Sequence, residues 1–314
     1  MAGVTFLRGA DARVEKAPDG MDVRVLVRAQ QGSMATFSLP VAAVGRALRH
    51  QRVAELWYVV QGSGEFWSAQ DSGERVESIR TGDSLHIAPG TTFQVRAGAH
   101  DSLTIVGVTM PPWPGVDEAW LVRGKWQQSA IDNSTEDSSV VLRLAHCADI
   151  QQLNKIALRS KAWWGYDDAF LAQCALELGV ELAAVEAELV VVACVRGSAG
   201  ETTIAAFGGL ERLPDKSFEL SHLFVSPCYI GRGIGRPVLL KLISMVNAHD
   251  GQTLWVQADP QAASFYTRCG GIEAGTRPSG SVAGRKLPCF TFDCSNDGLA
   301  RAASALAPRV QVGS

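Results

Sequence analysis

The sequence predicts two domains of different class, an all-β domain followed by one of mixed α and β elements. Three observations carry this reading. A length of 314 residues suits two domains, each able to bury a core of its own. From Val23 to about Val108, short apolar runs are separated by turn residues. After Val140 the pattern changes to helices and strands in alternation.

In the first region, Leu56–Val60, the turn Gln61-Gly62-Ser63-Gly64 and Glu65–Trp67 set the rhythm of an all-β sandwich or barrel. The segment Met110-Pro111-Pro112-Trp113-Pro114-Gly115 closes it, and the polar stretch Gln127–Ser139 reads as a linker. The expected organisation is a β domain over residues 1–127, a linker over 128–139, a second domain over 140–295 and an Ala-rich peripheral tail over 296–314.

In the second region, Asp149 is expected to cap a helix with Ile150, Leu153 and Ile156 on one face. Asp167 is expected to cap another with Phe170, Leu171, Cys174 and Leu178. Glu188–Cys194, Thr203–Leu210 and Phe218–Val225 are apolar, β-branched runs separated by the turns Arg196–Gly200 and Pro214–Lys216, which reads as an antiparallel meander. A helix follows with Pro237 in its first turn, Leu239, Ile243 and Val246 on one face, and Asp250-Gly251 as its stop.

The totals exclude several function classes. With 29 Lys and Arg against 32 Asp and Glu and no basic block, a phosphate-dominated nucleic-acid surface is not expected. No apolar run reaches the ~20 residues that span a bilayer, and Met1–Val14 carries charges where a signal sequence would be apolar. Seven cysteines without a C-x-x-C pair fit buried thiols in a reducing compartment. The expectation is a soluble cytoplasmic protein with no membrane partner, for which a homodimer stays open.

The stretch Leu223-Phe224-Val225-Ser226-Pro227-Cys228-Tyr229-Ile230-Gly231-Arg232-Gly233-Ile234-Gly235-Arg236-Pro237 runs strand, glycine turn, helix. Such a turn leaves backbone N–H groups uncovered and points them, with the positive end of the helix, at an anion such as a pyrophosphate. A P-loop would end in Gly-Lys-Ser/Thr, and a dinucleotide fingerprint would need G-x-G-x-x-G in a parallel sheet; neither fits.

Ile230-Gly231-Arg232-Gly233-Ile234-Gly235 resembles the R/Q-x-x-G-x-G/A signature of the GNAT acetyltransferase superfamily at both glycines, with Ile230 in place of Arg or Gln. Downstream, Ala258-Asp259-Pro260-Gln261-Ala262-Ala263-Ser264-Phe265-Tyr266-Thr267-Arg268-Cys269-Gly270-Gly271 resembles that superfamily's N-P-x-A-x-x-F-Y-x-x-x-G-F block, with Asp259 for Asn and Gly271 for the aromatic. The resemblance covers about half the chain. It implies an α+β GNAT fold, acetyl-CoA as co-substrate, and a primary amine of a small molecule or peptide as acceptor. Its cofactor-binding positions map to Phe224, Val225, Ile230, Gly231, Arg232, Gly233, Ile234, Gly235, Arg236, Asp259, Ala262 and Phe265. Acetyl transfer needs an acid for the leaving thiolate and a base for the amine. Tyr266 is the implied acid, since a phenol stays protonated at neutral pH. Glu219 and His222 are rival bases, expected on opposite faces of their strand, so that one alone faces the acceptor. The segment Arg159-Ser160-Lys161-Ala162-Trp163-Trp164-Gly165-Tyr166 either walls the acceptor pocket or plugs the helix–sheet interface.

The first region has its own resemblance. His50–Gly64 and Gly82–Phe93 are similar to the two motifs of the cupin superfamily, which implies an all-β cupin jelly-roll barrel. Of the four metal-ligand positions, His50 and Glu55 match, while Leu48 and Phe93 stand where histidines would be. Three or more protein ligands are normally needed, so no metal is expected, and a small ligand or a scaffolding role is favoured. His86 and His100 are the remaining substitutes as ligands, and Trp57, Trp67, Gln94 and Arg96 are candidate pocket lining. Two rival readings remain: a non-catalytic acyl-CoA or small-molecule sensor, and a bifunctional enzyme with an active cupin isomerase or oxygenase.

Overall fold

The structure, a computed structural model, describes residues 3–70, 72–129, 140–175, 177–196, 202–215 and 217–306. Most of the expected linker (130–139), residues 197–200 of the Arg196–Gly200 turn, Lys216 and the end of the tail (307–314) lie outside them. The chain divides into two compact units, Met1–Glu136 and Asp137–Ser314.

Among its described residues the N-terminal unit has eleven strands: β1 Val14–Lys16, β2 Asp22–Arg28, β3 Ser33–Leu39, β4 Leu48–His50, β5 Ala54–Gln61, β6 Ser63–Gln70, β7 Gly73–Arg80, β8 Ser84–Ile87, β9 Thr92–Ala97, β10 Leu103–Met110 and β11 Ala119–Leu121. They form two antiparallel sheets ordered β1-β2-β3-β10-β5-β8 and β11-β4-β9-β6-β7. Strands β3 to β10 pass between the sheets in the order that gives β3-β10-β5-β8 facing β4-β9-β6-β7, which is jelly-roll connectivity. The two-residue period is plain in β5, where Glu55, Trp57 and Val59 are buried and Leu56, Tyr58 and Val60 are exposed.

The C-terminal unit orders its elements as β12 Val140–Leu144, α1 Ile150–Ala162, α2 Asp168–Cys174, α3 Leu182–Glu186, β13 Val190–Arg196, β14 Thr202–Arg212, β15 Phe218–Val225, α4 Gly235–Ala248, β16 Thr253–Gln257, α5 Ala263–Arg268, β17 Ile272–Pro278, β18 Lys286–Asp293 and α6 Asn296–Leu306. Its sheet runs β12-β13-β14-β15-β16-β18-β17, with β13, β14 and β15 as the expected antiparallel meander. Both faces are covered, and β13 shows why it reads as an unbroken apolar run. Val191, Ala193 and Val195 join the core under α4, whereas Val190, Val192 and Cys194 pack with Leu153, Ile156 and Ala157 of α1.

Three local expectations are corrected. Asp149 does not cap α1 with its side chain; it ends a 3-10 turn, accepts from the His146 N–H at 2.8 Å and pairs with Arg143 at 2.7 Å. Asp167 does cap α2, accepting from the Phe170 N–H at 2.7 Å, but the helix stops at Cys174, and Leu178 is buried beyond its end. The first part of the tail, Asn296–Leu306, is not merely peripheral: as α6 it lies against α4, and Leu299 packs on the core beneath it. All seven cysteines are free thiols, five of them buried.

Candidate active site

Sheet geometry makes the cleft. β15 and β16 run parallel, yet pair only at Phe218↔Leu254 and Glu219↔Trp255. Beyond Glu219 the backbone of β15 pairs with no strand on that side among the described residues, and a cleft of about 1380 Å³ opens there. Every candidate residue of the C-terminal region borders it: Tyr266, Glu219 and His222; Phe224 and Val225; Ile230 through Arg236; and Asp259, Ala262 and Phe265.

At one end lies the glycine turn. Gly231 and Gly233 have φ of +85° and +81°, and a Cβ added to either would meet nothing within 4 Å. The positive φ favours glycine, and the open space is where an anion would approach. Among the described residues, the backbone N–H groups of Gly231, Gly233 and Ile234 have no acceptor. They stand at the positive end of the fourteen-residue helix α4. Arg232, Arg236 and Arg268 add positive charge to the same part of the cleft. Gly235 differs from these two: it has no positive φ, and a Cβ there would make an ordinary 3.4 Å contact with the Phe265 ring of α5. Exposed amides, helix end and guanidinium groups form a donor set that fits a pyrophosphate.

Tyr266, on α5, is 6% exposed and packs against Phe265 and Phe290 with ring centroids 5.2 and 5.7 Å away. Burial pushes its phenol well above the ordinary value, so it carries its proton at neutral pH.

The expectation that Glu219 and His222 face opposite sides is overturned by a β-bulge. Leu210 pairs with Leu220 and the adjacent Gly209 pairs with His222, leaving Ser221 as the extra residue. The bulge resets the alternation and brings both side chains to the cleft. Their surroundings differ. Glu219 is partly exposed and lies 3.6 Å from the Arg277 guanidinium, which stacks on Trp255. His222 is half-buried; its Nδ1 is 3.0 Å from Ser221 Oγ, and its Nε2 is sealed from solvent, with the backbone of Glu177 and Gly179 close to the ring. Burial lowers its basicity and keeps the ring neutral.

At the other end, Asp259 opens the turn before α5 and accepts from the Gln261 N–H at 3.0 Å. Its carboxylate also receives Lys161 Nζ at 2.5 Å and the Tyr166 hydroxyl at 3.0 and 3.1 Å, with Arg285 at 3.5 Å. Arg285 in turn donates to the Tyr166 oxygen at 2.7 Å. Burial raises the tendency of Asp259 to hold a proton, but the Lys161 charge and the donated hydrogen bonds outweigh it and hold the carboxyl below its ordinary range. Sequence reading named the Arg159–Tyr166 segment, and Trp164 does border the cleft, but it missed this network. The available signal was an Asp in an Asn position, which needs a counter-charge.

In the N-terminal unit, Leu48 and Phe93 are buried as expected, but the interior around them is filled by rings. Phe66 stacks on Phe93 at 5.7 Å, and His50, Trp57 and Trp113 close around them, with His50 5.5 Å from Phe93 and 5.4 Å from Trp113 and Trp57 5.6 Å from Phe93. Glu55 accepts from Trp57 Nε1 at 2.6 Å and lies 3.6 Å from His50 Nδ1. Burial pushes the Glu55 carboxyl up to about 8 and the His50 ring down to about 4, so both are neutral near pH 7. Of the candidate lining, Trp57 alone joins this cluster. Trp67 and Gln94 pair across β6 and β9 on the outer face, where Trp67 packs on Val122 and Trp126, Gln94 bonds the Trp126 backbone, and Arg96 stacks over Trp126. His86 and His100 are exposed. Among the described residues, no group of three or more His, Cys, Asp or Glu is placed to hold a metal ion.

Residues 197–280 match the family model of the acetyltransferase (GNAT) domain, a span that contains both motif blocks and the cleft's glycine turn. The C-terminal unit contains a GNAT domain. Solved structures are similar to the chain elsewhere. A conserved Klebsiella pneumoniae protein with a double-stranded β-helix domain is 14% identical over 39% of this chain and 100% of its own, with a TM-score of 0.32. An oxalate decarboxylase of Lactobacillus farciminis in complex with formate is 16% identical over 38% of this chain and 37% of its own, with a TM-score of 0.34. An oxalate decarboxylase of Bacillus subtilis is 14% identical over 38% and 33%, also at 0.34. No curated protein matches the chain. The N-terminal unit is by its own strand order a jelly roll, and the match to the GNAT domain model follows it in the C-terminal unit, in the order the motifs imply. Among the described residues, no helix is long and apolar enough to cross a membrane.

Proposed function

We propose that the GNAT domain is an N-acetyltransferase that moves the acetyl group of acetyl-CoA to a primary amine of a small molecule or peptide, while the N-terminal unit binds a ligand or positions a partner. The observation that carries the reading is the cleft between β15 and β16, with the Gly231/Gly233 turn at one end and Tyr266 and Glu219 on its walls. In the reaction the amine nitrogen attacks the thioester carbonyl carbon, the C–S bond breaks, the sulfur gains a proton and the nitrogen loses one. Amides of the turn and the α4 end hold the pyrophosphate. The Tyr266 hydroxyl supplies the proton to sulfur. Glu219 takes the amine proton: it borders the cleft with an accessible carboxylate, whereas the Nε2 of His222 is sealed. Retention of both groups favours an enzyme over a sensor. A cupin oxygenase or isomerase reaction draws no support from an interior packed with Phe66, Phe93, Trp57 and Trp113.

The test is thiol release from acetyl-CoA by the full chain, against a panel of polyamines, amino sugars, amino acids and peptides with free amino groups. Amine-dependent release above the hydrolytic background is expected. Binding of acetyl-CoA without release for any amine would favour the sensor.

A further inference from the structure

Asp259 is tied to residues 98, 93 and 26 positions away, namely Lys161, Tyr166 and Arg285, which come from the end of α1, the segment before α2 and the turn between β17 and β18. All three charged side chains are nearly enclosed, Lys161 at 13%, Asp259 at 12% and Arg285 at 19% exposure. Tyr166 stacks on Phe170 at 4.2 Å, and both cations lie over this pair of rings, Lys161 at 5.3 and 5.7 Å and Arg285 at 5.2 and 4.9 Å from the centroids. Burial and the negative charge of Asp259 push the Tyr166 phenol up to about 12, so it remains a neutral donor. One carboxylate therefore stands between two cations that share the same aromatic platform. An amide at this position would leave those cations facing each other with no counter-charge in an enclosed setting, which is costly.

We propose that Asp259 is a positioning residue: its carboxylate clamps Lys161, Tyr166 and Arg285, and so holds the α1–α2 segment as a wall of the acceptor end of the cleft, instead of touching acetyl-CoA. Both its oxygens are already engaged, Oδ1 by Gln261 and Tyr166 and Oδ2 by Lys161 and Tyr166. Lys161 and Trp164 bring the clamped segment to the cleft. The naming of an acceptor wall rests on the acetyltransferase reading; the clamp does not.

The experiment compares the full chain with Asp259→Asn, Asp259→Glu and the double variant Asp259→Asn/Lys161→Met. Amide hydrogen exchange is followed over residues 161–170, the acetyl-CoA Kd is measured by calorimetry, and kcat and KM are measured for the best amine of the panel above. In Asp259→Asn, exchange should rise about tenfold or more and the amine KM about tenfold, with kcat and the acetyl-CoA Kd within about threefold of the parent. Removing Lys161, one of the two stranded cations, ends their mutual repulsion, so the double variant should return exchange most of the way, and Asp259→Glu should stay near the parent. A tenfold weaker acetyl-CoA Kd with unchanged exchange would overturn the proposal and make Asp259 a cofactor contact. A double variant no better protected than Asp259→Asn would overturn it too. If the unsubstituted chain bound no acetyl-CoA, the acetyltransferase reading would fail, and the exchange measurements would still decide the clamp.

Discussion

Replacing Gly233 by Val tests the phosphate cradle. Gly233 has φ of +81°, so a β-branched residue there costs at least about 1–2 kcal/mol of backbone strain, and its side chain enters the open space in front of α4. A ligand at ~100 times its Kd stabilises by ~2.7 kcal/mol, which for a unit of this size is a rise of roughly 5–10 °C in Tm. Differential scanning calorimetry of the full chain should show that rise with acetyl-CoA for the parent and lose it for Gly233→Val. Strain is controlled with Gly275→Val: φ is +83° there, a Cβ would likewise meet nothing within 4 Å, and the residue lies outside the cleft. This control should lower the unliganded Tm by a similar amount yet keep the acetyl-CoA shift. Equal shifts for Gly233→Val and the parent, or loss of the shift in Gly275→Val, would refute the assignment.

Tyr266→Phe should reduce turnover ~10²-fold or more and leave the acetyl-CoA Kd within about threefold, because it removes a proton donor and little packing; steady-state kinetics and calorimetry check this. Glu219→Gln should abolish the acidic limb of the pH–rate profile, whereas an intact limb below the usual histidine range would transfer the role to His222, whose ring burial makes less basic. In the N-terminal unit, the Glu55 carboxyl is raised in the fold to about 8 from 4.5, so the stability it supports is complete below 4.5 and is lost as pH rises through 8. Glu55→Gln should therefore flatten the pH dependence of that unit's unfolding between about pH 6.5 and 8 and add ~1–3 kcal/mol near pH 8, measured by denaturant titration. Elemental analysis of untagged protein should find no stoichiometric transition metal; metal lost on His50→Ala would show that other groups complete a site.

Much of this was legible in the sequence because it depends on local patterns. The meander, the α4 boundaries and the glycine turn follow from apolar runs, Pro237 and Gly231/Gly233, each of which acts within a few residues. What was missed depends on pairing across the sheet or on distant partners. The bulge at Ser221 is a property of the β14–β15 register, and no period-two reading of β15 alone could place Glu219 and His222 on one face. The sidedness of Trp67 and Gln94 was fixed by the segment Val122–Trp126 that covers them, and the Asp259 network by Arg285 from a turn that carries no motif. The start of the tail, Asn296–Leu306, forms α6, whose Leu299 finds the α4 core, a contact that its composition does not announce.

The most direct test of the central claim is amine-dependent release of free CoA from acetyl-CoA, with mass spectrometry of the amine product. The account predicts one thiol released per amine gaining an acetyl group, with Tyr266→Phe reducing both in parallel. Acetyl-CoA bound with the expected stabilisation but no acetylated amine from any member of the panel would contradict it.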